Sequence, residues 1–203
     1  MDFKNKKGFT LIEMAIALII LSLLTVSIVN MARATYNLEN ISKRQDAISS
    51  FKNAFVGYVS QYGRIPYPDV DGDGIGDNTA LGMGNLPYLD LQISQKDIYG
   101  MKFKYDATLE LADSTITNFT TLCTKLDALK NNTTFPKVQN DIGNQSYSVV
   151  AVLISRGTDK RLTGENMTTN RIYEMESNIF NETTNNDTVI QINGFDLISR
   201  LCK

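Results

Sequence analysis

From Phe9 to Val29 the chain reads FTLIEMAIALIILSLLTVSIV, an apolar run interrupted by hydroxyls and by one carboxylate, Glu13. A run of about 20 such residues in a helix matches the hydrocarbon thickness of a bilayer, so it predicts a membrane-spanning helix. No strong helix breaker follows before Tyr62, and Ile48, Phe51, Phe55, Tyr58, Val59 and Tyr62 recur at spacings of three and four. That is the periodicity of a single buried helix face. Gly63 and Pro66 then supply a stop, because glycine accepts the left-handed conformation past a helix end and proline cannot continue the helix. The pattern predicts one helix of up to about 80 Å, its first half in lipid and its last turns against a globular domain.

Past the stop the periods change. Met101, Phe103 and Tyr105 alternate with Lys102 and Lys104, which predicts a short strand with one wet face. Ser114 as N-cap, followed by Ile116, Phe119, Leu122, Cys123, Leu126 and Leu129 at helical spacing, predicts a helix ending at the polar break 131–134. The β-branched run from Tyr147 to Ile154 reads as a central strand buried on both faces. Residues 158–187, rich in Asn, Thr and charge, read as a long surface loop with a short strand near Ile172 to Met175. Val189 to Ile192 predicts a last strand, and Phe195, Leu197, Ile198 and Leu201 a short helix ending near Cys202.

Composition narrows the chemistry. At 203 residues there is room for one buried core plus an anchor, and a formal net charge of −2 gives no support to a nucleic-acid surface. Histidine is absent, which removes imidazole acid–base catalysis, Ser-His and Cys-His nucleophile pairs and His metal ligands. No nucleotide-binding loop or catalytic motif is present either, so the chain reads as a non-enzyme. Cys123 and Cys202 are too few for a zinc cluster and form no C-x-x-C pair. They are either one disulfide, which an oxidising exterior favours, or two buried thiols acting as small apolar side chains.

Lys4, Lys6 and Lys7 precede the apolar span, with only Arg33 soon after it. The positive-inside rule then keeps the N-terminus cytoplasmic and places the rest outside. No small-residue cleavage site follows Val29, against a secretory signal cut at its far end. A carboxylate inside a membrane helix costs roughly 2.5–3.5 kcal/mol on insertion scales, so Glu13 requires a partner.

The string Lys6-Lys7-Gly8-Phe9-Thr10-Leu11-Ile12-Glu13, set directly before the span, resembles the processing site of type IV prepilins and type II secretion pseudopilins. The resemblance covers about the first thirty residues. It implies cleavage between Gly8 and Phe9 by prepilin peptidase, N-methylation of Phe9, and an assembly role for Glu13. A cationic amine freed at Phe9 could meet Glu13 of a neighbouring subunit as helices stack, each buried charge satisfying the other. The implied fold is α+β and pilin-like, a long N-terminal α-helix packed on a small antiparallel β-sheet domain with extra short helices. The implied domains are a cleaved basic leader at 1–8, a transmembrane and filament-core helix at 9–30, and an extracytoplasmic globular domain at 31–203. Other pilin or pseudopilin subunits and an inner-membrane assembly platform are the implied partners.

One further stretch carries chemistry. Asp69, Asp71, Asp73 and Asp77, with Gly74 between them, fit the D-x-D-x-D-G opening of an EF-hand-like calcium loop. Ile75 would offer its backbone carbonyl. The bidentate carboxylate that closes such a loop is missing, since Ala80 holds its place and no exiting helix is evident, so Asp90 or another acidic residue would have to substitute. The competing reading is a solvated turn built from Gly and Asp because those residues make turns. Functionally, the sequence favours a pseudopilin or minor pilin. The alternative is an adhesin or DNA-uptake tip subunit that uses the 158–187 loop as a contact surface, though no basic aromatic cluster supports the DNA version.

Overall fold

The computed structural model describes residues 10–129, 134–140, 146–157, 160–162, 166, 169–175 and 187–202. Helix α1 runs from Leu11 to Tyr62. By its contacts the chain divides into two units, Met1–Arg44 and Gln45–Lys203. In the first unit the helix carries an 18-residue window of mean hydropathy 2.5, none of it buried, long and apolar enough to cross a membrane.

In the second unit the last turns of α1 lay Phe51, Phe55, Tyr58 and Val59 into the core, with Ile48 partly buried beside them. Tyr62, expected on the same face, is 47% exposed and stacks on Tyr58 at 4.4 Å between ring centroids. The helix ends as its sequence requires. Gly63 takes φ +69 and its N–H still donates to the Val59 carbonyl at 2.9 Å, a glycine stop.

The strands form two sheets. The first is antiparallel, in the order β1 (Met83–Asn85), β2 (Lys104–Ala107), β5 (Ala151–Ser155), β7 (Thr188–Ile192). The second is β4 (Ser146–Ser148), β3 (Lys137–Asn140), β6 (Ile172–Met175), with β3 and β6 parallel. Short helices intervene: α2 (Tyr88–Leu91), α3 (Leu109–Ala112), α4 (Phe119–Ala128) and α5 (Gly194–Leu201). The fold is α+β and pilin-like, a long N-terminal helix followed by an antiparallel sheet domain with short helices, with a mixed second sheet added to what the sequence predicts.

That second sheet explains several departures. The apolar run 147–154 is not one strand, because the chain passes from the second sheet to the first at Val149 and Val150, leaving β4 before the switch and β5 after it. β5 is buried throughout. Ala151 and Leu153 join the larger core beside α1, while Val152 and Ile154 join a smaller one with Val138, Val149 and Tyr173. Period-two alternation thus serves two cores. Over 101–105 the expected alternation holds, Phe103 and Tyr105 being buried while Lys102 is exposed and Lys104 half-buried, but β2 runs on through Asp106 and Ala107, which are buried as well. It also starts at Lys104 rather than Met101.

α4 begins later than expected. Asn118, not Ser114, is its N-cap, its side-chain oxygen accepting from the Thr121 N–H at 2.9 Å. The stretch 158–187 lies in part outside the described residues. The short strand expected near Ile172 to Met175 is there as β6, with Tyr173 buried; Asn166 and Asp187 are also buried, so these two positions belong to the domain interior rather than to a surface loop.

Candidate functional site

Gly8 and Phe9 lie outside the described residues, which begin at Thr10. Leu11 opens α1, placing Thr10 at the N-cap and Glu13 in the first turn. The Glu13 carboxylate accepts from the Thr10 N–H at 2.8 Å and from its hydroxyl at 2.9 Å. The Glu13 N–H donates back to the Thr10 hydroxyl at 3.3 Å. This is a reciprocal capping box, which satisfies two orphan backbone donors at once. It also holds an anion where the helix dipole favours one. Within a single subunit, therefore, the carboxylate already has local partners.

The acidic loop folds on its own backbone. Asp69 is fully buried, its two oxygens accepting from Gly72 N–H at 2.6 Å and Gly74 N–H at 3.0 Å. Asp77 accepts from Val70 N–H at 2.6 Å and Asp71 N–H at 3.2 Å, and its own N–H donates to the Pro68 carbonyl at 2.9 Å. Gly72 and Gly74 adopt φ +92 and +96, conformations that favour glycine. The result brings one carboxylate oxygen each of Asp69, Asp71 and Asp77 within 4.8 Å of one another, a set that could hold a metal ion.

Not every expected ligand joins them. Asp73 turns an oxygen to the Ile75 N–H at 2.8 Å. Asp90 accepts from the Gly76 N–H at 2.8 Å, so it touches the loop at a backbone amide. All the side-chain donors are hard oxygens, the chemistry of calcium or magnesium rather than of zinc.

Residues 3–29 match the prokaryotic N-terminal methylation motif. The chain carries the signature of type IV pilin-like prepilins. No curated protein and no solved structure matches it. The prepilin motif covers the string quoted above and the whole apolar span, and it implies a structural rather than a catalytic protein, consistent with a membrane-anchored one.

In this prepilin-like chain Cys123 and Cys202 form a disulfide with a Cα–Cα distance of 5.9 Å. It ties α4 to the end of α5 across 79 residues of sequence. Of the two readings the sequence left open, the paired one holds.

One cluster escaped the sequence altogether. Arg171 sends Nε to both oxygens of Asp106, at 3.1 and 3.0 Å, and Nη2 to Oδ1 at 2.6 Å. Tyr173 donates its hydroxyl to the same carboxylate at 2.6 Å. Nη2 also reaches the Ala107 carbonyl at 2.8 Å. Burial pushes the Asp106 carboxyl above its ordinary range, against the opposing pull of Arg171 and Tyr173. Burial likewise pushes the Tyr173 phenol up, with the Asp106 charge adding to it. Asp106 belongs to β2 and Tyr173 to β6, so the cluster pins one sheet to the other. No local motif announces such a pair, because its members are 65 residues apart in sequence.

Proposed function

We propose that the chain is a structural subunit, a pseudopilin or minor pilin, of a type IV pilus-like filament or a type II secretion pseudopilus. Prepilin peptidase would cut it between Gly8 and Phe9 and methylate the new amine. The mature subunit would then enter a filament with other pilin subunits through its N-terminal helix, on an inner-membrane assembly platform. The observation that carries this reading is the methylation motif running straight into an unburied apolar helix with one carboxylate in its first turn.

The domain order that follows is a cytoplasmic leader at 1–8, a membrane and filament-core helix at 9–30, and an extracytoplasmic domain from 31 onward. Three lysines before the span favour that orientation. In the membrane the subunit would lie as a single pass with its domain in the periplasm, moving from there into a filament in the periplasm or at the cell surface. Glu13, held by its capping box in the lone subunit, would meet the cationic Phe9 amine of a neighbour on assembly. The test is incorporation of Glu13→Gln. That variant should still insert in the membrane and fail to enter filaments; assembly at the parent level would defeat the reading.

The acidic loop would bind Ca²⁺ through Asp69, Asp71 and Asp77. Three carboxylates this close repel one another without a cation. When bound, the ion would neutralise that charge and fix the loop on the domain. Lacking a bidentate closing carboxylate, the site belongs in the weak range of extracellular modules, about 10⁻⁴–10⁻³ M. Calorimetric titration of the full chain with calcium at millimolar concentration should give saturable heat, and its absence would remove the ion from the account.

A further inference from the structure

An ion-binding loop of the EF-hand kind is followed by a helix that both supplies the closing carboxylate and gives the loop a rigid support. Here the chain runs on into β1, and support arrives from elsewhere. Three consecutive residues of α2 bond to the loop. Tyr88 donates its hydroxyl to the Asp73 carbonyl at 3.5 Å, Leu89 its N–H to the Gly74 carbonyl at 2.9 Å, and Asp90 accepts from the Gly76 N–H at 2.8 Å.

The fit is close. A Cβ on Gly74 would run into the Tyr88 ring. A Cβ on Gly76 would stand 2.6 Å from the Tyr67 carbonyl and 3.2 Å from the Asp90 carboxylate. Both glycines are thus needed for backbone to lie directly against its support. Gly76 immediately precedes Asp77, whose carboxylate faces Asp69 and Asp71.

We propose that α2 braces the acidic loop in place of an exiting helix, and that Asp90 is its positioning residue, holding Gly76 so that Asp77 stays turned toward Asp69 and Asp71. Asp90 acts here as a hydrogen-bond acceptor for the loop and not as an ion ligand. The ion-binding consequence rests on the calcium reading given above; the brace itself does not.

Two readouts on the full chain in detergent micelles separate these. In calcium-free buffer, Asp90→Ala should speed amide exchange at Gly76 by about tenfold, the loss of one hydrogen bond to a charged acceptor, while Asp90→Asn stays within about twofold of the parent. Protection in β5 reports that the fold is intact. Should Asp90→Ala lose that protection, Asp90→Ser, too short to reach Gly76, carries the same expectation. The second readout is luminescence of added terbium, a calcium surrogate excited through the adjacent Tyr88. Asp90→Ala should weaken terbium binding and Asp90→Asn should leave it unchanged.

Unaltered Gly76 exchange in Asp90→Ala overturns the brace. Equal weakening of terbium by Asn and Ala overturns the positioning role, because it makes Asp90 a ligand. If the parent chain binds no terbium, the calcium reading fails alone and the exchange experiment still decides the brace.

Discussion

The guanidinium of Arg171 lies 2.6 Å from a carboxylate oxygen of Asp106, a group that is 1% exposed. Breaking a buried pair by removing one partner strands the other charge, at a cost of about 3–5 kcal/mol. Arg171→Ala should therefore destabilise the domain by that order, measured as a lower urea midpoint with an unchanged slope. Replacing both partners with apolar residues of similar volume should cost much less. If Arg171→Ala costs no more than the double replacement, the pair does not hold the sheets together.

The same carboxyl has a defined pH signature. Its folded pKa lies above the ordinary 3.8 because it is buried. The folded state then binds the proton more tightly than the unfolded state. Stability contributed by Asp106 is present below 3.8 and lost as pH rises through the folded pKa. Asp113 has the opposite sign, its pKa lowered mainly by the Thr115 backbone N–H, so its contribution is lost as pH falls. Asp106→Asn should make stability rise more steeply with pH just above 3.8 than in the parent. A slope unchanged or shallower in a urea series across that range would contradict the assignment.

These two features show where sequence reading stops. The end of α1 was legible because Gly63 and Pro66 are local signals and the Phe51, Phe55, Tyr58, Val59 stripe is periodic. The strand at Val189 to Ile192 and the helix after it were legible for the same reason. Of the second sheet only β6 was legible, at Ile172–Met175; β3 and β4 were not, since they are short, polar and paired across long separations, and the run 147–154 hides a sheet switch inside unbroken apolarity. In the acidic loop the carboxylate spacing was visible in the chain. The part played by α2 was not, because it depends on backbone atoms of Gly74 and Gly76 meeting residues 15 and 14 positions away.

Reducing the Cys123–Cys202 bridge should cost about 4 kcal/mol on the chain-entropy model, given the separation of 79 residues. Urea unfolding with and without reductant measures it. The paired variant Cys123→Ser, Cys202→Ser should lose a similar amount and become insensitive to reductant. Insensitivity of the parent itself would show the bridge to be unimportant to stability.

At the helix start, Thr10→Val removes the hydroxyl of the capping box but not the Thr10 N–H bond to Glu13. Loss of a cap costs about 1 kcal/mol, or about fivefold in local opening. Amide exchange at Glu13 in micelles should accelerate by that factor, with residues near Leu24 unaffected. Equal exchange in both chains would mean that the box does not set where the helix begins.

As the proposed filament subunit, this chain is a precursor that must be processed at its leader before assembly. Intact-mass spectrometry of the protein recovered from cells with an active prepilin peptidase tests it most directly. The expected product is a chain lacking residues 1–8 and beginning at Phe9 with one added methyl group on its amine. A mature protein that retains the Gly8–Phe9 bond contradicts it.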